Sequence, residues 1–301
     1  MNKRPQWEGR THGGSLGQKG LLFFFQYMGL TAGKFILYPI LSIVVLFYMI
    51  FSHTGFMAIW FYFRKIHGYG IIKSFLKTYK NHFLFGLTLF DRFTLFAGKK
   101  NIFSVSISGQ ELFDELVNSP KGGIIASSHL GNFEISGYLL HQNKKRINGI
   151  IYSEENPVIQ QYRSKILEEN NVCQIPILPD MSHIFIINKI LSHGEILTMP
   201  CDRVYTGNKS VILNFMGRPA TFPTGAYHLA EKFDVPVLVL FVMKESSRRY
   251  QIYISRMESQ SDKNVSSKDK VENMARIYVS ELERIVKKYP EQWYNFYNFW
   301  N

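Results

Sequence analysis

The 301-residue chain has only two cysteines, Cys173 and Cys201, and neither lies in a CxxC pair or beside a histidine cluster. This pattern excludes a disulfide framework and the usual zinc-binding spacings. We therefore predict reduced thiols in a cytosol-facing domain, and no metal site.

Acidic residues are also scarce, with 23 Asp and Glu against 35 Lys and Arg, a formal net charge of +12. Such a charge favours an anionic partner such as nucleic acid, anionic lipid or an acidic protein, although many membrane proteins are basic for topological reasons. No RNA-binding aromatic motif, zinc-finger spacing or recognition helix accompanies the charge. We expect no nucleic-acid partner.

Charge of either sign is missing altogether from Phe35 to Phe63. A helix of that length would reach roughly 40 Å, whereas a bilayer core is roughly 30 Å thick. The run begins too late and continues too long for a cleavable signal peptide. We predict a membrane anchor, either a spanning helix or a monotopic hairpin broken near Pro39 or Ser52–Gly55; a buried helix of a soluble protein is the remaining alternative. The predicted regions are a polar segment at 1–34, the anchor at 35–65 and one large domain at 66–301.

From residue 121 onward, apolar runs rich in Ile and Val alternate with longer segments of helical periodicity. This alternation predicts an α/β fold with a mixed, largely parallel sheet flanked by helices. Pro223 is predicted to open one of the helices. The predicted strands are 102–107, 122–127, 147–152, 172–177, 195–199, 210–215, 235–243 and 250–255. The predicted helices in this part are 132–142, 157–169, 181–192, 223–233 and 269–288.

One strand leads into a polar turn that carries His129, and a helix opens near Asn132. Open α/β sheets usually place their sites at such a strand end. Glu134 lies in the first helical turn and can reach back to the ring of His129. A carboxylate on one ring nitrogen fixes the tautomer, so that the other nitrogen can take a proton. The His-x4-carboxylate spacing arises by chance about 0.7 times in a chain of this composition, so spacing alone does not separate a catalytic pair from a structural histidine.

This segment resembles the His-x4-Asp/Glu motif of the glycerolipid (lysophospholipid) acyltransferase superfamily. Among its branches it is most similar to the late acyltransferases of lipid A biosynthesis, the lauroyl and myristoyl transferases, whose form is His-x-x-Asn-Trp-Glu. Further blocks are similar and follow in the family's order over about residues 100–300. These blocks are Tyr152–Arg163, Met199–Arg203, Phe215–Ala220, Val235–Val237 and Tyr289–Trp293.

Three departures from the family pattern bear on the substrate. Phe133 stands where the family has Trp, Ser153–Glu155 replaces its Arg-Pro, and Cys201–Arg203 replaces its Asp-Gln-Asp. These blocks are expected to touch the donor or the acceptor, so the acceptor need not be lipid A. The opening segment Trp7–Gly14 resembles relatives associated with aryl-polyene pigment pathways.

The resemblance implies a membrane-bound acyltransferase of the bacterial inner membrane, with its catalytic domain on the cytoplasmic side. It would move a fatty acyl group from a thioester donor, acyl carrier protein, to a hydroxyl or amine of a lipid acceptor. His129 would be the general base and Glu134 would orient it. Because a thioester is already activated, no cofactor is needed. The residues expected to bind substrate are Asn132, Arg163, Asp202, Arg203 and Arg218.

Each of these arginines suits phosphate, but can equally be a paired surface charge, and Asp202 can equally be a turn residue. Three other functions stay open. They are an acyltransferase of an aryl-polyene or other lipid pathway, a thioesterase or lipid hydrolase using the same His-Glu pair, and a non-catalytic membrane scaffold.

Overall fold

The computed structural model describes residues 29–96, 99–140, 144–152, 167–168, 171–177, 182–204, 209–257 and 265–300. Its strands are β1 (Ser104–Ser108), β2 (Gly123–Ser127), β3 (Ile147–Tyr152), β4 (Val172–Ile177), β5 (Ile196–Pro200), β6 (Ser210–Phe215), β7 (Arg218–Pro223), β8 (Val237–Lys244) and β9 (Arg249–Arg256). Its helices are α1 (Gly29–Phe51), α2 (His53–Phe61), α3 (Ile71–Phe96), α4 (Gln110–Asn118), α5 (Ser136–Leu139), α6 (His183–Ser192), α7 (Gly225–Phe233) and α8 (Ser267–Lys288).

Seven strands form one mixed sheet in the order β1-β9-β8-β2-β5-β3-β4. All neighbours in it pair in parallel except β8 and β9. The carboxyl ends of β8, β2, β5, β3 and β4 therefore meet at one edge of the sheet. Strands β6 and β7 form a separate antiparallel hairpin. The predicted mixed, largely parallel α/β fold is confirmed.

The central strands are buried on both faces, which explains their continuous Ile and Val runs. Alternate residues of β8 enter two different cores: Val239 and Phe241 pack with α6, α7 and α8 on one face, while Leu240 and Val242 pack with α4 and the end of α3 on the other. Both layers hold the sheet rigidly, so side chains at its edge are well positioned.

The hairpin differs from the sequence prediction. All eight predicted strands are present to within two residues, but β7 was not predicted, and Pro223 ends it instead of opening the helix, which begins at Gly225. The reason is the turn between β6 and β7, where Met216 has φ 54° and Gly217 has φ 80°. Two successive positive φ angles are typical of a tight two-residue hairpin turn.

Two predicted helices remain: one is shorter in the structure than predicted, and the other lies mostly outside the described residues. The helix predicted at 132–142 is a short 3-10 turn, Phe133–Ile135, followed by the single turn of α5. The helix predicted at 157–169 lies outside the described residues except for 167–168.

The predicted anchor is bent within the described part of the chain. No single described helix has the length and apolar composition of a membrane span, whereas Phe35–Phe51 and His53–Ile66, which meet at 94°, do as a pair. The end of this region is not exposed: Ile59, Tyr62 and Phe63 are buried in the main core of the α/β domain. The bent pair is therefore packed into the domain at one end.

Candidate active site

Strand register brings His129 level with a carboxylate that is distant in sequence. Strands β2 and β5 are parallel neighbours, and Ser127 pairs with Pro200 at their ends. The ladder continues one step further, because the amide of Cys201 donates to the carbonyl of Ser127 at 2.9 Å. His129 lies two residues beyond Ser127, and Asp202 lies two residues beyond Pro200. The two side chains therefore lie side by side at the carboxyl edge of the sheet.

The side chain of Asp202 holds His129 through two hydrogen bonds. Its Oδ1 lies 2.8 Å from Nδ1 of the ring, and its Oδ2 accepts from the backbone N–H of His129 at 2.9 Å. Asp202 is fully buried, while the His129 side chain is 17% exposed. A proton on Nδ1 that is donated to this carboxylate leaves Nε2 as the nitrogen able to accept a proton.

The carboxyl group of Asp202 is held in its ionised form. Burial alone would raise its pKa, but the neighbouring His129 and Arg203 outweigh burial and hold the pKa below its usual value. An ionised carboxylate in this position stabilises the imidazolium that forms when Nε2 takes a proton.

The groups beneath Asp202 stay neutral. Burial raises the pKa of the Cys201 thiol, of Tyr227 and of Tyr278. A buried thiol that stays protonated is a poor nucleophile, so Cys201 is part of the packing and not a reactive group. Both cysteines are free thiols.

The turn that carries His129 is hydrogen-bonded on both sides. On one side the amide of Asn132 donates to the carbonyl of Val242 in β8 at 2.8 Å. On the other, Gly131 N–H donates to the carbonyl of Gln292 at 2.8 Å, and Tyr294 N–H donates to the carbonyl of His129 at 3.2 Å. The C-terminal Tyr-Pro-Glu-Gln-Trp block thus positions the site.

Only a glycine fits at position 131. Its φ is +70°, and a Cβ there would lie 2.1 Å from the carbonyl oxygen of Val242. Both the left-handed backbone and the close approach to β8 depend on the missing side chain.

Of the other residues predicted to bind substrate, Arg203 lies near the pair of His129 and Asp202. It is buried, its Nη2 donates to the carbonyl of Tyr294 at 2.8 Å, and its guanidinium lies 5.6 Å from the ring centroid of Tyr297. Arg218 lies exposed at the start of β7, with its guanidinium 5.5 Å from the ring centroid of Phe61. No described contact joins Arg218 to the pair.

Asn132 is buried, with 1% of its surface exposed. Its side-chain amide donates hydrogen bonds to neighbouring protein groups. The backbone of Glu134 lies in the 3-10 turn Phe133–Ile135, but its side chain is outside what the structure describes, as is the whole of Arg163. Within the described ranges, His, Cys, Asp and Glu side chains nowhere gather in threes as a metal site would require.

Sequence reasoning missed the role of Asp202 as the partner of His129. The available signal was a similar offset: His129 lies two positions and Asp202 three positions past the end of a predicted apolar strand. That offset becomes informative only once β2 and β5 are known to be neighbours.

The family model for the bacterial lipid A biosynthesis acyltransferases matches residues 85–301. The chain belongs to that family. It is therefore an acyltransferase of lipid biosynthesis, which confirms the predicted enzyme class. Among solved structures, this family member is similar to the 1-acyl-sn-glycerophosphate acyltransferase PlsC from Thermotoga maritima, at 14% identity and a TM-score of 0.40, over 85% of this chain and 99% of that one. No protein of curated function matches the chain.

Proposed function

We propose that this acyltransferase moves a fatty acyl group from acyl carrier protein to a hydroxyl or amine of a membrane lipid acceptor, with His129 as general base and Asp202 as its carboxylate partner. The observation that carries the proposal is the hydrogen-bonded pair of His129 and Asp202 at the carboxyl edge of the sheet. An imidazole whose Nδ1 is bound to a buried carboxylate is arranged to accept a proton at Nε2.

The reaction follows from this arrangement. Nε2 of His129 takes the proton of the acceptor hydroxyl while its oxygen attacks the thioester carbonyl. Asp202 stabilises the resulting imidazolium through Nδ1. When the tetrahedral intermediate collapses, the carbon–sulfur bond breaks, and the imidazolium returns its proton to the departing thiolate. The products are the acylated lipid and the free thiol of the carrier.

His129→Ala tests the base. Loss of a positioned base lowers turnover about 10²–10⁴-fold, and the fold should survive because the ring is at the sheet edge. The matched control is His193→Ala, since His193 is exposed and its ring bonds the Lys189 carbonyl one turn earlier. Product is measured by mass spectrometry after incubation with acyl carrier protein thioester and an inner-membrane lipid extract. Turnover in His129→Ala close to that of the control would disprove the mechanism.

We also propose that the protein binds the cytoplasmic face of the bacterial inner membrane through an N-terminal apolar surface. Large apolar side chains on α1, α2 and the start of α3 are exposed, with Phe35 at 81%, Phe51 at 80% and Ile72 at 78%. So large an apolar surface is unusual for a soluble protein and is typical of a membrane or protein contact. We call it the apolar face; it comprises Phe35, Ile36, Ile40, Ile43, Val44, Leu46, Phe47, Tyr48, Ile50, Phe51, Met57, Ile71, Ile72, Phe75 and Leu76.

This apolar face extends beyond the predicted anchor, because Ile71–Leu76 lie after residue 65. Lys73 lies among these apolar residues at the start of α3, whereas the Lys77 ammonium is paired with Glu291. Basic residues next to an apolar surface attract anionic head groups, each by about 1 kcal/mol. We therefore place the start of α3 at the head-group level of the bilayer.

The membrane proposal is tested by Ile72→Glu combined with Leu76→Glu. Removing residues 1–64 would not serve, because that deletion takes Tyr62 and Phe63 out of the core. We expect the double variant to lose co-sedimentation with vesicles that contain phosphatidylglycerol. The control adds the same charge at exposed positions elsewhere, Ser106→Glu with Ser280→Glu. Equal sedimentation of the two double variants would contradict the proposal.

The donor proposal rests on the family and on the net charge of +12. Carrier proteins are acidic, and association steered by opposite charges slows steeply as salt increases. We expect a higher rate with acyl carrier protein than with acyl-CoA, and a rate that falls across a salt series. Preference for acyl-CoA without salt dependence would contradict this choice of donor.

A further inference from the structure

A buried polar cluster lies directly behind the turn that carries His129. Lys244 and Tyr250 are cross-strand partners in β8 and β9, and Asp91 reaches them from α3. The Lys244 ammonium and the Tyr250 hydroxyl both donate to the same carboxylate oxygen, Oδ2 of Asp91. All three side chains are at most 8% exposed.

Asn132 joins this cluster to the active site. Its Nδ2 donates to the Tyr250 hydroxyl at 3.3 Å and to the carbonyl of Thr88 in α3 at 3.4 Å. Because the Tyr250 proton goes to Asp91, its oxygen is free to accept from Asn132. The backbone of Asn132 continues directly into Gly131 and the turn of His129.

The cluster also holds the other side of the turn. The backbone N–H of Lys244 donates to Oε1 of Gln292 at 3.0 Å, and Nε2 of Gln292 donates to the Lys244 carbonyl at 2.8 Å. Gln292 in turn accepts from Gly131 through its own carbonyl. The two flanks of the turn are therefore connected through Lys244.

We infer that Asp91, Lys244 and Tyr250 are positioning residues for acyl transfer, which hold the His129 turn through Asn132. This inference rests on the proposed role of His129. None of the three lies in the His-x4-Glu segment, and they reach it only through folding. A base must be placed to within a fraction of an ångström of its proton, and a displacement of about 1 Å can cost roughly 10²-fold in rate.

The first variant is Tyr250→Phe, which keeps the ring and removes the hydroxyl that connects Asn132 to Asp91. We expect turnover to fall about tenfold with an unchanged KM for the thioester donor, because the base moves while the substrate sites remain. The matched control is Tyr253→Phe on the same strand, which loses a hydroxyl that contacts the Tyr289 hydroxyl at 2.9 Å. Its turnover should stay within twofold of wild type.

The second variant separates positioning from stability. Asp91→Leu with Lys244→Met replaces a buried ion pair by apolar side chains, a change that is often neutral or stabilising for the fold. We expect this double variant to melt at or above the wild-type temperature and yet to lose turnover as Tyr250→Phe does. If the three residues only stabilised the fold, a double variant that melts at or above the wild-type temperature would keep its turnover.

A third readout is the rate at which diethyl pyrocarbonate modifies His129 without substrates, followed by peptide mass spectrometry. We expect this modification rate to differ from that of wild type in Tyr250→Phe and to equal it in Tyr253→Phe.

A folded double variant with turnover within twofold of wild type would overturn the inference, as would a Tyr250→Phe variant matching its control. If the double variant does not fold, Tyr250→Phe decides. Retained activity in His129→Ala would instead overturn the proposed function, so the two failures are distinguishable.

Discussion

Replacing Asp202 by Asn is the sharpest test of the site, because it changes one atom of a buried contact. Oδ1 of an asparagine can still accept from the backbone N–H of His129, as the Asp202 carboxylate does at 2.9 Å. Its Nδ2 would then face Nδ1 of the ring, 2.8 Å away in the wild type. Two donors cannot share that contact, so the ring would adopt the tautomer with its proton on Nε2. In that form Nε2 cannot accept a proton from the acceptor.

The expected loss is large for activity and moderate for stability. The same change in catalytic triads lowers turnover about 10⁴-fold, which corresponds to roughly 5 kcal/mol of activation free energy. The free energy of unfolding should fall by about 1–2 kcal/mol, since hydrogen bonds to a charged acceptor in the core become hydrogen bonds between neutral groups. The melting temperature should therefore decrease by several degrees.

The assay compares Asp202→Asn with Glu134→Gln, the change at the carboxylate that the sequence predicted as partner. Turnover is followed as thiol released from the acyl donor with a membrane lipid extract, and melting by circular dichroism. We expect Asp202→Asn to be the more damaging variant. If it keeps turnover within tenfold of wild type while Glu134→Gln loses more than a hundredfold, Glu134 is the partner in the working enzyme and our reasoning from the register is wrong.

Two further predictions concern the turn and the C-terminal block. Gly131→Ala should destabilise the protein by more than 2 kcal/mol and remove activity, because its Cβ would meet the Val242 carbonyl as well as strain the backbone; Gly217→Ala, at φ +80° with nothing within 4 Å, should cost only about 1 kcal/mol, as measured by urea unfolding. Equal losses of unfolding free energy in the two variants would contradict a role for the close approach of Gly131 to the Val242 carbonyl. Burial alone would raise the pKa of Glu291, but Lys77 and a second lysine outweigh it and hold the pKa below 4.5. The ionised Glu291 therefore stabilises the fold fully above about pH 4.5, and this stabilisation is lost as the pH falls through the lower pKa of the folded state. Glu291→Gln should lower the melting temperature at pH 7. The difference in melting temperature between wild type and variant should narrow below about pH 4.5. A difference that is constant with pH would exclude this ionic contribution.

Local pattern was enough for the strands and for the position of the histidine. Buried parallel strands require long apolar runs, and these runs stand out in the sequence wherever both faces of the sheet are covered. His129 was identifiable because it directly follows such a run, at the place where α/β sheets expose their sites. The missed strand, β7, has a weaker pattern, with prolines at both ends, and depends on a turn at Met216 and Gly217.

The family resemblance supplied what composition and spacing left open. The His-x4-carboxylate spacing occurs by chance in a chain of this kind, and the order of several weak blocks, each of which alone decides little, indicated an acyltransferase. The match of the family model over residues 85–301 confirms that class. The acyl donor, the acceptor and the membrane placement stay proposals.

Sequence by itself determined the α/β class, most strand bounds and the candidate base, because these depend on neighbours along the chain. Tertiary structure brought a second carboxylate, Asp202, to that base. Asp202 lies 73 positions after His129, and only the pairing of β2 with β5 brings the two level. It also decided that Asp91, Lys244 and Tyr250 meet behind the turn, and that Tyr62 and Phe63 enter the core while Phe51 stays exposed. The physical reason is that strand order and helix packing are set by contacts between distant segments, which the periodicity of one segment does not encode.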